Sequence, residues 1–199
     1  MDSFDKNVEE YYNATIEEVD LQKTTIKKRR FEECIFNNCA FDESVFMDCV
    51  IRDCVFKNCS MSLLKVNGSS FSRVTFCKCK MQGINWTEAA WQKISLGCPL
   101  SFEDCTISYS TFVSLVFDEM KMVNCIANDV DFREVVLKNA DFSYTDLSES
   151  LFMECDLSYA DFSNAKNYQI DVTSNNVYKA KFSFPEAMSL LLFFEIEIV

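Results

Sequence analysis

Cysteine and carboxylate side chains carry most of the potential chemistry in this chain of 199 residues. It has 11 cysteines, 31 acidic and 19 basic residues, and no histidine. Thiolates serve as nucleophiles and as zinc ligands, and Cys77 and Cys79 superficially resemble half of a metal site. No histidine or second outward-facing cysteine pair completes a tetrahedral site, and the commonest general base is missing. We therefore expect neither an enzyme nor a bound metal or cofactor.

The cysteines follow a five-residue repeat that runs through most of the chain. Seventeen large apolar residues recur at every fifth position from Ile16 to Leu96, and a small residue usually stands two positions before each. This period fits neither a helix nor a simple strand, so it indicates an internal repeat. Nine cysteines occupy the small position: Cys34, Cys39, Cys49, Cys54, Cys59, Cys79, Cys105, Cys125 and Cys155. We interpret them as small apolar packing residues.

The register is interrupted once, at residues 97–101. It resumes one place later at Phe102 and continues to Phe182, with Ala127 and Asn167 as weak positions beside the larger Ile126 and Tyr168. We interpret the extra residue as a kink or small bulge rather than a projecting loop.

The repeat defines three segments. Residues 1–13 are a polar lead-in, 14–182 form the repeat region, and 183–199 leave the pattern. The last segment predicts a short helix after Pro185 and a final strand from Phe193.

A short strand directs the small and the large residue of each repeat to the same side. Five residues then make one side and one corner, so four sides close a square coil of about 20 residues. About eight such coils, stacked ~4.8 Å apart, give an all-β parallel β-helix on the order of 40 Å long. The large side chains fill its centre.

Several repeats identify a family. The segments CAFDE, CVFKN, ADFSY, TDLSE, CDLSY and ADFSN resemble the pentapeptide-repeat proteins. That resemblance implies a right-handed quadrilateral parallel β-helix over residues 14–182.

Segments outside the bare repeat resemble a narrower subgroup that protects bacterial DNA gyrase, which includes albicidin-resistance, microcin-immunity and quinolone-resistance (Qnr) proteins. They are residues 30–34, 83–87, 100–103 and 182–187, together with Trp91. The resemblance implies a DNA-mimicking protein that binds gyrase, with topoisomerase IV as a second candidate partner, and confers resistance or immunity to a topoisomerase poison.

The net charge of −12 argues against direct binding to nucleic acid or to an anionic membrane. It is compatible with a protein that mimics DNA. Residues 1–100 carry 14 acids and 13 bases (net −1), whereas 101–199 carry 17 and 6 (net −11). A rod bearing such an array resembles a DNA duplex. The predicted contact residues are Asp131, Asp141, Asp146, Glu149, Glu154, Asp156 and Asp161. Sorted by register, however, the acids fall on all four sides, which favours a role in solubility alone.

The tail is more apolar than one solenoid cap requires, which predicts a homodimer joined through the C-termini. The predicted dimer residues are Pro185, Ala187, Met188, Leu190, Leu191, Phe193, Phe194, Ile196 and Ile198. Relatives of the subgroup dimerise in this way.

Reduced thiols and the absence of a secretory leader predict a cytoplasmic protein. The alternative function is an interaction scaffold with no topoisomerase role.

Overall fold

Short parallel strands, stacked one coil above the next, form the wall of a β-solenoid with about eight turns. The structure is a computed structural model and describes residues 4–5, 8–91, 97–194 and 196. The strands are β1 (Glu10–Tyr12), β2 (Thr15–Glu17), β3 (Thr25–Lys27), β4 (Arg30–Glu32), β5 (Ile35–Asn37), β6 (Val45–Met47), β7 (Val50–Arg52), β8 (Val55–Lys57), β9 (Ser70–Ser72), β10 (Val74–Cys77), β11 (Leu100–Glu103), β12 (Lys121–Val123), β13 (Asp161–Phe162) and β14 (Lys181–Phe182). Two 3₁₀ helices span Trp86–Glu88 and Glu186–Phe193.

The pairing register confirms the square coil. Phe36 of β5 pairs with Phe56 of β8, twenty residues later, and every pair of strands in the first half of the chain has this offset. The chain turns at the second residue after most of the large ones, where the backbone is left-handed, as at Asn38 (φ 53°) and Glu154 (φ 58°). Asn and Asp tolerate that conformation best, and many of the corners carry them.

Aromatic rings stack along the centre of the coil. Phe36 and Phe56 lie 4.4 Å apart between ring centroids and are nearly parallel, and Phe56 stacks in turn on Phe76 at 5.1 Å. The small position satisfies the backbone beside this stack. Ser69 Oγ accepts a hydrogen bond from the Cys49 N–H (2.9 Å) and donates one to the Phe46 carbonyl oxygen (3.0 Å). Polar and thiol side chains are therefore compatible with this buried place.

The register break is larger than the sequence predicts. Phe76 of β10 pairs with Phe102 of β11, an offset of 26 residues instead of 20. Trp91 is still in the ladder of large residues, as shown by its ring, which lies 4.9 Å from that of Phe117 in the adjacent coil. The chain thus has six residues more than a coil side needs between Trp91 and Phe102, and the predicted one-residue bulge is wrong. Leu96, the predicted ladder residue, lies outside the described residues.

The N-terminal coil begins earlier than residue 14. Tyr11 of β1 is buried and its ring stacks on Phe31 at 5.2 Å, so it occupies a ladder position inside the predicted lead-in.

Near the C-terminus, buried Tyr168 replaces the weak position Asn167, which is exposed. Phe152 bridges Ile170 at an offset of 18, and the offset of 20 returns between Asp156 and Asn176.

The tail helix continues through Phe193, where the sequence predicts a strand to begin. Glu195 and residues 197–199 of that predicted strand lie outside the described residues. No described helix has the length and apolar character needed to cross a membrane.

Candidate protein-docking surface

The seven acids predicted to contact a partner fall into two structural classes. Five aspartates stand directly before the large residue of their repeat, and each carboxylate accepts a hydrogen bond from the backbone N–H two residues later. They are Asp131 (3.1 Å), Asp141 (2.9 Å), Asp146 (3.1 Å), Asp156 (3.1 Å) and Asp161 (2.9 Å). Glu149 and Glu154 instead occupy exposed left-handed corners, both at φ 58°. The aspartates therefore stabilise the coil as well as charging it.

Three of the aspartates are paired with bases. The carboxylate oxygens lie 2.7 Å from Arg133 for Asp131, 3.3 Å from Lys138 for Asp156 and 2.8 Å from Lys181 for Asp161. In the part of the chain that the structure describes, Asp141, Asp146, Glu149 and Glu154 have no ion pair. The uncompensated negative charge is accordingly concentrated on these four residues of the predicted set.

The cross-coil bridges place the aspartates on all four sides of the rod. Asp141 bridges Asp161 on one side, and Asp146 bridges Ile126 on the next. Asp131 bridges Leu151 on the third side, and Asp156 bridges Val136 on the fourth. The structure therefore confirms that the predicted contact residues surround the rod instead of forming a single face.

Hydrogen bonds lower the pKa of four of the aspartates that cap turns and so favour their ionised form. Partial burial works to raise the pKa of Asp146, but hydrogen bonds from Ser148 and Asn167 outweigh it and hold that pKa below its ordinary value. The same balance lowers the pKa of Asp156 and Asp161. For Asp131 the leading cause is the hydrogen bond from Arg133, which lowers its pKa. All four remain ionised at neutral pH.

These lowered pKa values make the stability of the coil depend on pH. A carboxyl group whose pKa is lower in the folded than in the unfolded state stabilises the fold above the unfolded value, about 3.9 for Asp. We expect the urea midpoint to fall as pH decreases from about 5 through the folded-state pKa values. The variant Asp146→Asn should lose less stability over that interval, because its amide cannot titrate. A parallel loss in both proteins would show that Asp146 does not contribute.

The thiols lie where the repeat predicts. The nine cysteines at the small position are buried, and Cys77 and Cys98 are partly buried. Burial raises the pKa of Cys98 to about 12, which disfavours the reactive thiolate. Among the described residues, no group of three or more potential ligands is arranged to hold a metal ion.

The tail presents an apolar surface beside the last coil. Phe184, Leu192, Phe194 and Ile196 are 81%, 74%, 45% and 55% exposed. Leu190, a predicted dimer residue, packs on the core instead, and the more exposed Leu192 was not in the predicted set. Ile198 lies outside the described residues.

Sequence reasoning also missed Leu151 and Met153, two apolar side chains on the acidic half that are 52% and 46% exposed. The signal was available, since neighbouring repeats read Asp-Phe-Ser or Asp-Leu-Ser where this one reads Leu-Phe-Met.

Comparisons with known proteins address the family and the fold. Two family models match the chain: "Pentapeptide repeat region" over residues 29–99, and "Pentapeptide repeats (8 copies)" over 117–152 and 131–166. A search of curated proteins finds no match.

Solved structures of the same kind of solenoid are similar. Trypsin-treated QnrB1, a plasmid-mediated fluoroquinolone resistance protein, has a TM-score of 0.59 at 18% identity, covering 98% of this chain and 94% of that one. Full-length QnrB1 has a TM-score of 0.53 at 18% identity, covering 94% and 90%. HetL, a pentapeptide-repeat protein involved in heterocyst differentiation regulation in the cyanobacterium Nostoc, has a TM-score of 0.46 at 15% identity, covering 86% and 81%. At such identities the likeness concerns the fold.

The family models cover residues 29–99 and 117–166, which is most of the coil that the strand pairings define between Glu10 and Phe182. Its buried large residues, small inward residues and left-handed corners recur with the same five-residue period. The chain therefore belongs to the pentapeptide-repeat family.

Proposed function

We propose that this protein is a non-catalytic DNA mimic that binds bacterial DNA gyrase and protects it from a topoisomerase poison. The observation that carries the proposal is the charge of the rod, since residues 101–199 hold 17 acids and 6 bases. A basic DNA-binding groove attracts such a surface over a long range. The resemblance to the gyrase-protecting subgroup and the structural similarity to QnrB1, a fluoroquinolone resistance protein, support the same partner. Topoisomerase IV is a second target of the same kind.

We further propose that the protein works in the cytoplasm as a homodimer joined through its tails. Two acidic halves would then meet at the centre of a longer rod, with the nearly neutral N-terminal halves at its tips. This arrangement doubles the length of the acidic surface without requiring any additional fold. It also explains why the apolar tail lies at the acidic end of the rod.

A supercoiling assay with purified gyrase tests the proposal. We expect the protein to relieve inhibition by at least one poison from a panel that contains a fluoroquinolone, albicidin and a microcin. Binding should weaken steeply with added salt, because it depends on charge. Glu149→Gln/Glu154→Gln should bind roughly fivefold more weakly. These corner residues cap no turn, so the fold should be unchanged.

The matched control is Glu18→Gln/Glu33→Gln, which makes the same change at equivalent exposed corners in the nearly neutral half. It should bind like the wild type. A wild-type protein that neither inhibits gyrase nor relieves any poison would contradict the proposal. That result would favour an interaction scaffold, for which the distribution of acids over all four sides is the supporting observation.

A further inference from the structure

One repeat in the acidic half departs from its neighbours at two outward positions. In four nearby repeats an aspartate precedes the large residue and a serine follows it, joined by a hydrogen bond from the serine N–H to the carboxylate. These pairs are Asp141 with Ser143, Asp146 with Ser148, Asp156 with Ser158, and Asp161 with Ser163. Leu151 and Met153 occupy the same two positions around Phe152. This repeat lacks the capping carboxylate and leaves about half of two apolar side chains in water.

A shortened coil sets these side chains in a groove. Phe152 bridges Ile170 at an offset of 18 residues, two fewer than in regular coils, and Asp171 then begins a turn that precedes the return to register. Leu151 and Met153 line a groove of about 380 Å³ together with Gln169, Asp171 and the end of the tail helix at Phe193. The groove thus follows from a local irregularity of the repeat.

The groove combines acidic and apolar lining residues. Glu149 and Asp171 line it, and Arg133, the one base among the lining residues, is held by Asp131 through two hydrogen bonds of 2.9 and 2.7 Å. In the acidic half, this side of the rod carries Asp131, Glu134, Glu154 and Asp171 against Arg133, four acids and one base, for a net charge of −3. Apolar side chains at the centre and charges at the rim are the usual anatomy of a protein-binding surface.

We propose that this groove docks a segment of the partner protein that presents an apolar side chain flanked by lysine or arginine. The proposal rests on the proposed function, in that gyrase is taken as the partner. The acidic residues attract a basic segment, and the exposed Leu151 and Met153 would pack against an apolar side chain within it. A second copy of this chain suits the groove less well, because its residues 101–199 hold only 6 bases against 17 acids and so offer few basic segments. Of the lining residues, only Phe193 belongs to the tail proposed for the dimer.

The substitution Leu151→Asp distinguishes apolar docking in this groove from binding by charge attraction alone, because it removes the apolar side chain and adds a negative charge. Asp131 occupies the equivalent position one coil earlier, so an aspartate should be compatible with the fold here. The matched control is Ile126→Asp, which adds the same charge at the same repeat position on another side, where Ile126 is 48% exposed. We expect Leu151→Asp to weaken binding to immobilised gyrase about tenfold, and Ile126→Asp to stay within about twofold of the wild type. Equal or tighter binding by both variants would overturn the proposal.

A second experiment tests the groove without assuming that gyrase is the partner. The wild type should bind a peptide of alternating lysine and leucine more tightly than an oligolysine of equal charge, and Leu151→Asp should abolish that preference. If the wild type does not bind gyrase, the proposed function fails and the peptide comparison alone decides the groove. Absence of a preference in the wild type would overturn the groove proposal.

Circular dichroism and light scattering complete the test. If Leu151→Asp does not fold, Met153→Ser takes its place, because serine is the residue at this position in the four neighbouring repeats. A change of oligomeric state in either folded variant would identify the groove as a contact between copies of this chain and would overturn the proposal.

Discussion

Replacement of Phe132 by alanine is expected to lower the free energy of unfolding by about 3–5 kcal/mol. The ring is fully buried and stacks on Phe112 at 5.3 Å and on Phe152 at 4.9 Å, with Phe142 edge-on at 5.7 Å. Its removal leaves a cavity between coils that the backbone hydrogen bonds hold at a fixed spacing, so the site cannot collapse to fill it. Urea denaturation followed by circular dichroism measures the loss.

Two controls show that the loss comes from the cavity. Phe132→Leu retains most of the apolar volume and should cost about 1.5 kcal/mol or less. Tyr109→Ala removes a ring that is 66% exposed and should change stability by less than about 0.5 kcal/mol. Each coil contacts only its neighbours, so Phe132→Ala should also broaden the transition by uncoupling the halves of the rod. A loss below about 1 kcal/mol would mean that the wall relaxes around the missing ring.

The interior of this protein could be predicted from sequence because a single local rule builds every coil. A large residue at each fifth position fixes which side chains point inward, and the small residue before it must fit beside the wall. The burial of Phe36, Cys59 and Phe142 therefore follows from the period alone. Ala127 shows how strong the rule is, because it stays buried in register while the larger Ile126 beside it is 48% exposed.

The insertion could not be predicted, for a reason inherent in the repeat. One extra residue and six extra residues shift a five-residue register by the same amount, so the ladder beyond Phe102 looks identical in both cases. Only the partner in the adjacent coil decides, and Phe76 pairs with Phe102 at an offset of 26. Sequence periodicity specifies the position of a residue within one side of the coil. The number of sides between two residues is specified only by the hydrogen bonds between adjacent coils.

The surface was harder to predict because one residue type serves two purposes. In the acidic half, an aspartate before the large residue caps a turn whether or not a partner also binds it, as Asp146 does through the Ser148 N–H. Counting acids therefore overstates the number that are free for recognition. Residues that break the local pattern without a structural gain, such as Leu151, are more informative about a partner than residues that obey it.

Substitution of the exposed tail residues should convert a dimer into a monomer. We expect the wild type to be dimeric at micromolar concentration, because Phe184, Leu192 and Phe194 leave a large apolar surface at the end of the rod. In a twofold-symmetric interface each substitution occurs twice. Leu192→Glu/Phe194→Glu would thus bury four new carboxylates, which should weaken association by about 1,000-fold or more. Multi-angle light scattering measures the mass of both proteins directly.

The control for this experiment introduces the same charge elsewhere on the rod. Val116→Glu/Tyr109→Glu places two carboxylates at side chains that are 63% and 66% exposed and far from the tail in sequence, so it should remain dimeric. A truncation after Phe182 should be monomeric as well, since it removes the whole tail helix. A monomeric wild type at micromolar concentration, or a dimeric truncation, would contradict the tail interface. In either case the exposed apolar surface of the tail would serve as a cap of the solenoid or as a binding site for a different partner. A contiguous apolar patch of this kind is uncommon on a monomer that binds nothing there.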